Sequence, residues 1–181
     1  ALRFQLLGSS TRYPAQFAAD HGQPEGDLDD HALYLFLLHD SRDWRISAQY
    51  EDIGRDFRAD LGFLPQVDRR YGKALAERTW WGKPGARWIR LAAGVDTSRT
   101  DDQGGEPLER LDEVWFVLEG RRELSCFTQA ADRERTLGGR RFRNRYVEGH
   151  VGFRAHPVLE LGVEWNVGED VDLAGLRPAD Q

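Results

Sequence analysis

Alternation with period two runs through most of this chain. Across 44–51, Trp44, Ile46, Ala48 and Tyr50 take one set of positions, and Arg45, Ser47, Gln49 and Glu51 the other. Across 145–155, Val147, Gly149, Val151, Phe153 and Ala155 alternate with Tyr146, Glu148, His150, Gly152 and Arg154. After His156-Pro157 the pattern resumes, with Leu159, Leu161, Val163, Trp165 and Val167 set against Glu160, Gly162, Glu164 and Asn166. Successive side chains of a strand point to opposite faces of a pleated sheet, so each stretch gives one apolar and one wet face. A helix at 3.6 residues per turn would spread the same charges around its whole circumference.

The alternation predicts nine strands, at roughly 1–8, 31–39, 44–53, 71–80, 86–96, 111–119, 122–128, 142–155 and 157–167. The intervening connections alternate long and short: 9–30, 40–43, 54–70, 81–85, 97–110, 120–121, 129–141 and a tight turn at His156. In an antiparallel meander every second connection lies at the same edge. Tight turns at one edge and long loops at the other are the habit of outer-membrane-type barrels. The expected fold is therefore all-β: an antiparallel meander forming part of an outer-membrane-type β-barrel, a single all-β domain or barrel segment over 1–181. The alternative is a soluble lipocalin-like barrel or β-sandwich, in which the same apolar stripe faces inward. Glycine and alanine within the stripes, such as Gly149 and Ala155, favour a lipid-facing wall over a packed core.

Composition narrows the classes. The chain is 40% apolar and 31% charged. Its longest apolar run, 32–38, is far short of the roughly 20 residues of a spanning helix, so any membrane crossing must use strands. A net charge of −6 leaves no basic excess to neutralise phosphates, and nucleic acid is not an expected partner. The single Cys126 forms no internal disulfide and reads as a small wall residue. Lys73 and Lys83 are the only lysines; the other cationic chains are arginines, which keep their charge and grip carboxylates with two bonds. The chain contains no methionine and opens on Ala1, and 173–181 is polar. The expectation is an internal piece, with the remainder of a longer chain as a partner.

Several groups invite a chemical reading. Glu25, Asp27, Asp29 and Asp30 offer oxygen ligands of the kind calcium takes, but without the EF-hand spacing, and read as a solvated loop. Asp96, Asp101, Asp102 and Glu106 read alike. The histidines are His21, His31, His39, His150 and His156; His150 and His156 share a face but lie about 20 Å apart along a strand, too far for one metal. Glu148, Glu160 and Glu164 resemble the carboxylate pairs of glycoside hydrolysis. Arg90, Arg143, Arg145 and Arg154 are expected to neutralise them inside a lumen. Trp80, Trp81 and Trp88 around Gly82-Lys83-Pro84-Gly85 read as an interfacial girdle more readily than as a sugar platform. No Ser-His-Asp order, phosphate loop or nucleophile elbow occurs. No catalytic residue, metal ligand or cofactor is assigned, and no ligand-binding residue is identified.

The segment Tyr50-Glu51-Asp52-Ile53-Gly54-Arg55-Asp56-Phe57-Arg58-Ala59-Asp60-Leu61-Gly62-Phe63-Leu64-Pro65-Gln66-Val67-Asp68-Arg69-Arg70-Tyr71 resembles a recurring stretch in a family of uncharacterised bacterial proteins. These carry an N-terminal carbohydrate-binding family-9-like module and a long, barrel-like C-terminal domain of unknown function. The resemblance implies that this chain corresponds to part of the C-terminal domain, without the sugar-binding module. The expected function is a non-catalytic segment of an outer-membrane β-barrel, tied to carbohydrate uptake or surface binding, with the lipid bilayer and carbohydrate as partners. The alternative is a periplasmic or secreted binding module for a small or carbohydrate ligand.

Overall fold

The structure, a computed structural model, describes residues 1–22, 26–58 and 66–168. It is an all-β antiparallel meander of β1 (Leu2–Arg12), β2 (Asp27–Asp40), β3 (Trp44–Ile53), β4 (Arg69–Trp81), β5 (Trp88–Asp101), β6 (Pro107–Gly120), β7 (Ser125–Leu137), β8 (Arg140–His156) and β9 (Leu159–Gly168). Each strand pairs with its sequence neighbours in one nine-stranded sheet. Nine strands are found where nine were expected. The sheet is open: β1 pairs with β2 alone and β9 with β8 alone. The central part of the family-like segment, 59–65, lies outside the described residues, as do Glu25 and the polar stretch 173–181.

The expected rhythm of connections holds only in the first half. The first and third, 13–26 and 54–68, are long, and those at 41–43 and 82–87 are shorter. The expected loops 97–110 and 129–141 are instead mostly strand, closing in turns at 102–106 and 138–139. Their composition is polar on both faces, which reads as loop. The ladder continues through them and carries cross-strand ion pairs, Arg133 and Arg135 on Glu109, Arg143 on Asp132 and Arg141 on Glu134. The hairpin between β7 and β8 closes on Gly138 and Gly139, both at positive φ (56° and 74°), the conformation a two-residue primed turn demands.

The first connection carries an unanticipated short helix, α1 (Ala15–His21), preceded by Pro14 and stopped by Gly22 in the left-handed region. Ala18 of α1, Leu28, Ile53 and Phe57 are buried at the long-connection edge. Elsewhere burial is slight. Among the described residues no large side chain is fully buried, and only Ala92 and Ala131 add to the buried apolar set.

Candidate functional site

The registers sort the strands into two faces. On one, Leu2, Phe4 and Leu6 of β1 lie opposite Leu37, Leu35 and Leu33 of β2. Ala48 and Tyr50 of β3 continue the rows, and Ile46 and Ala48 meet Ala76 and Ala74 of β4. Ala76 lies beside Val95 of β5; Val95, Ala93 and Leu91 face Val114, Phe116 and Leu118 of β6. The belt runs on through Ala130, Thr128 and Cys126 of β7 to Val147, Gly149 and Val151 of β8. Val167, Trp165, Val163 and Leu161 of β9 complete it. At about 3.4 Å per residue it measures about 20 Å along β3, from Trp44 to Tyr50, and about 27 Å along β8, from Val147 to Ala155.

This apolar face is the exposed one. Leu2 is 75% exposed, Val163 62% and Val95 and Val114 53% each. Leu28, Ile53, Thr79, Ala92, Asp96 and Ala131, the buried strand residues apart from Gly120 at a turn, belong by register to the opposite, polar face. A water-soluble sheet buries its apolar side; here the distribution is reversed.

Both margins of the belt change chemistry abruptly. At the short-turn edge Trp44, Trp80, Trp81 and Trp88 are exposed, and the Arg78 guanidinium lies 4.8 Å from the Trp44 ring and 5.9 Å from that of Trp80. Trp81 donates its indole N–H to the Arg42 carbonyl at 3.0 Å. By register Trp44 and Trp80 stand on the belt face, whereas Trp81, opposite Arg90, takes the parity of the polar face and departs from the expected girdle of Trp80, Trp81 and Trp88; the place of Trp44 in the alternation could have shown its side. At the other margin the same face turns ionic, with Arg70 paired to Asp52, Arg99 to Asp101, Arg110 to Asp112, and Arg143 and Arg145 to Asp132.

Those pairings correct the expectation that Arg143 and Arg145 neutralise polar-face carboxylates. Both occupy odd positions of β8, the parity of Val147, and so stand on the apolar side beyond the belt. Arg90 binds Glu119 at 2.6 Å and Arg154 binds Glu123 at 2.7 Å, so neither reaches Glu148 or Glu164. Hydrogen bonding by Arg143, then Arg145, outweighs the effect of burial and lowers the Asp132 carboxyl from 3.8 to about 2. Because the folded value is depressed, the stabilisation from this pairing is complete above pH 4 or so and is lost as pH falls towards 2. Carboxyl-carbon NMR is expected to place the Asp132 midpoint near 2 and to return it towards the ordinary aspartate value in Arg143→Ala.

On the polar face, Glu148 accepts a hydrogen bond from Gln129 at 2.8 Å, and Glu113 one from the Tyr146 hydroxyl at 3.5 Å. Glu77 accepts from the Trp115 indole at 3.2 Å. That indole lies against Gly94, where a Cβ would come within 2.2 Å of it, so the missing side chain makes room for the ring. Glu160 lies opposite Arg154, and Glu164 opposite His150. A cleft of about 410 Å³ is lined by Phe127, Glu148, His150, Glu164, Trp165 and Asn166.

The other candidates disperse. Asp27 binds Arg12, and Asp30 turns to the third connection. Asp96 sits buried on the polar face beside Lys73, Asp101 holds Arg99 on the opposite side, and Asp102 accepts the backbone N–H of Glu106 within a turn. His31 contacts Asp30, His39 pairs in register with Ile46, and His156 lies at the last turn. Among the described residues no group of three histidine, cysteine or acidic side chains can hold a metal ion. Cys126 is free, between Leu118 and Val151 in the belt.

The third connection crosses the polar face. The Gly54 N–H donates to the His31 carbonyl (3.0 Å), that of Asp56 to the Asp30 carboxylate (3.0 Å), and that of Arg58 to the Ser9 hydroxyl (3.0 Å). The chain thereby steps from β2 to β1. Gln103, from the turn after β5, donates to Asp52 (2.6 Å) and to the Ile53 carbonyl (3.1 Å).

No protein-family model, curated protein or solved structure matches this chain.

Proposed function

We propose that this chain is a non-catalytic wall segment of an outer-membrane-type β-barrel, with its apolar face against lipid and its polar face lining an aqueous interior. One observation carries the reading: a nine-stranded apolar belt is exposed while the buried strand residues lie on the polar side. The margins support it, since tryptophans beside an arginine at one edge and paired charges at the other fit the two interfacial zones. No helix of the described residues is long and apolar enough to cross a membrane.

Strand direction adds a requirement. In a nine-stranded antiparallel meander β1 and β9 run the same way, so antiparallel closure takes an odd number of further strands. Lipid does not tolerate unpaired backbone groups at such edges, and the reading includes those strands. A tie to carbohydrate and an origin in a Gram-negative outer membrane rest on the resemblance of 50–71 and on the wall architecture.

The test is fluorescence of the full chain refolded into vesicles of bromine-labelled lipid. Trp44, Trp80 and Trp165 are expected to be quenched and Trp115 spared, each assigned by its Trp→Phe variant. A cooperatively folded monomer in detergent-free buffer, whose emission brominated vesicles leave unchanged, would overturn the reading.

A further inference from the structure

The polar face is not evenly charged. Three consecutive rows cross it at the height of the belt. The first runs Leu75, Asp96, Glu113, Ala131, Tyr146; the second Glu77, Gly94, Trp115, Gln129, Glu148, Asn166; the third Thr79, Ala92, Val117, Phe127, His150, Glu164. From β4 to β9 these rows hold five carboxylates, Glu77, Asp96, Glu113, Glu148 and Glu164, and no lysine or arginine. The nearest cations come from outside them. Lys73, in the row above, binds Asp96 at 2.8 Å, Arg133, in the same row as Lys73, is held by Glu109, Arg90, in the row below, is held by Glu119, and Arg45 of β3 lies opposite Glu77. Glu77, Glu113 and Glu148 are met by neutral donors, which satisfy oxygen atoms without cancelling charge.

A second observation concerns the balance of charge at Asp96. Asp96 is only 5% exposed, and while its Oδ2 takes Lys73, its Oδ1 is buried without a hydrogen-bond partner. It stands directly across from Glu113. Two facing carboxylates share the single charge of Lys73, so net negative potential remains at this end of the first row.

We propose that these rows form a cation-attracting strip, whose ligands are small hydrated cations held by the summed field of the carboxylates. No group of three ligands converges, so the strip attracts ions with their hydration shells and does not strip them. It deepens the reading above and rests on it for one point, that the polar face meets water. In a barrel the strip would make the interior favour cations over anions. Trp115 sits in its middle row, fixed against Gly94 and bonded to Glu77, and so reports on it.

The experiment is ionic quenching of the Trp115 emission, taken as the difference between the full chain and Trp115→Phe in the same micelles or vesicles. Caesium is the cationic probe and iodide the anionic one. At low ionic strength caesium is expected to quench about threefold or more efficiently than iodide, after correction for their efficiencies on free indole, since one thermal unit of potential changes a local ion concentration about threefold. The preference should collapse near 0.5 M inert salt, where the screening length is only a few ångströms. It should also fall by about half or more in Glu77→Gln/Glu148→Gln. Equal quenching by the two ions in the unaltered chain, or a preference that survives both salt and substitution, overturns the proposal. The salt series needs no substitution, so a variant that fails to fold does not spare it. Brominated lipids report on the opposite face, so the wall reading can fail while the strip stands, and the reverse.

Discussion

Val163→Arg is expected to abolish stable insertion of this chain into lipid vesicles, while Glu164→Arg, one residue on, leaves insertion intact. Val163 stands at the middle of the stripe of β9 running from Leu159 to Val167 and is 62% exposed on the apolar face. An arginine facing lipid at the bilayer midplane costs about 2–4 kcal/mol, falling towards zero at the interfaces. Glu164 points the other way, opposite His150 and beside the cleft that Glu148 lines, where an arginine meets water and carboxylates. The measurement is the urea dependence of refolding into vesicles, followed by tryptophan emission and by the gel mobility of folded and unfolded forms. In a soluble sheet whose belt simply meets water, an exposed valine replaced by arginine changes stability by only a few tenths of a kcal/mol. Equal behaviour of the two variants would sink the assignment of faces.

The magnitudes favour a covering for the belt. The ion pairs beyond it join side chains such as Arg99, Arg110 and Arg143, which are 63%, 67% and 55% exposed. Exposed pairs of this kind contribute about 0–1 kcal/mol each, so the collar orients the strand extensions without holding the sheet together. Burial of apolar area, at roughly 25 cal/mol per Å², is the one term large enough to offset the ordering of the chain. The described residues bury few apolar side chains, and those small apart from Leu28, Ile53 and Phe57. The larger apolar area, Leu2 through Val167, is assembled on one exposed face, which is what the proposed wall reading would cover.

Much of this was readable in the chain itself, because a two-residue period determines side as well as strand. The parity of 44–51 and 145–167 gives the faces of β3, β8 and β9, and the parity of Arg143 and Arg145 should have placed them beyond the belt on its own side. The ends of β5 to β8 were not readable. Stretches such as 97–101 and 132–136 are polar on both faces, and their strand character comes from partners on the neighbouring strand. Pairing across strands also decides which carboxylates are neutralised. Asp132 with two arginines and Glu148 with a glutamine are indistinguishable until the register between β7 and β8 is known. The course of the third connection over the polar face likewise depends on Asp30, a residue that belongs by composition to a solvated loop.

Asp30→Ala is expected to release that connection and to cost about 2–3 kcal/mol. Asp30 accepts the backbone N–H of Asp56 at 3.0 Å and that of His31 at 2.8 Å, and contacts the His31 ring at 3.0 Å. Hydrogen bonds to a charged group contribute about 1.5–3 kcal/mol, and the alanine leaves two N–H groups without their acceptor. Gly54 ties the arrangement together, since the Asp30 carboxylate occupies the space a Cβ there would need, within 1.9 Å. The pH dependence follows from the same contacts. Burial raises the Asp30 carboxyl, but the bonds from Asp56 and His31 outweigh it and hold it below 3.8. A depressed folded value means that the stabilisation is present above pH 3.8 or so and disappears as pH falls through the folded value. Hydrogen exchange should show the Asp56 and Arg58 amides losing protection in Asp30→Ala at neutral pH, while the belt amides of β6 keep theirs. Asp30→Asn retains one acceptor and should fall between the two. If exchange at Asp56 and Arg58 is unchanged in Asp30→Ala, the connection is held over the polar face by something other than this carboxylate.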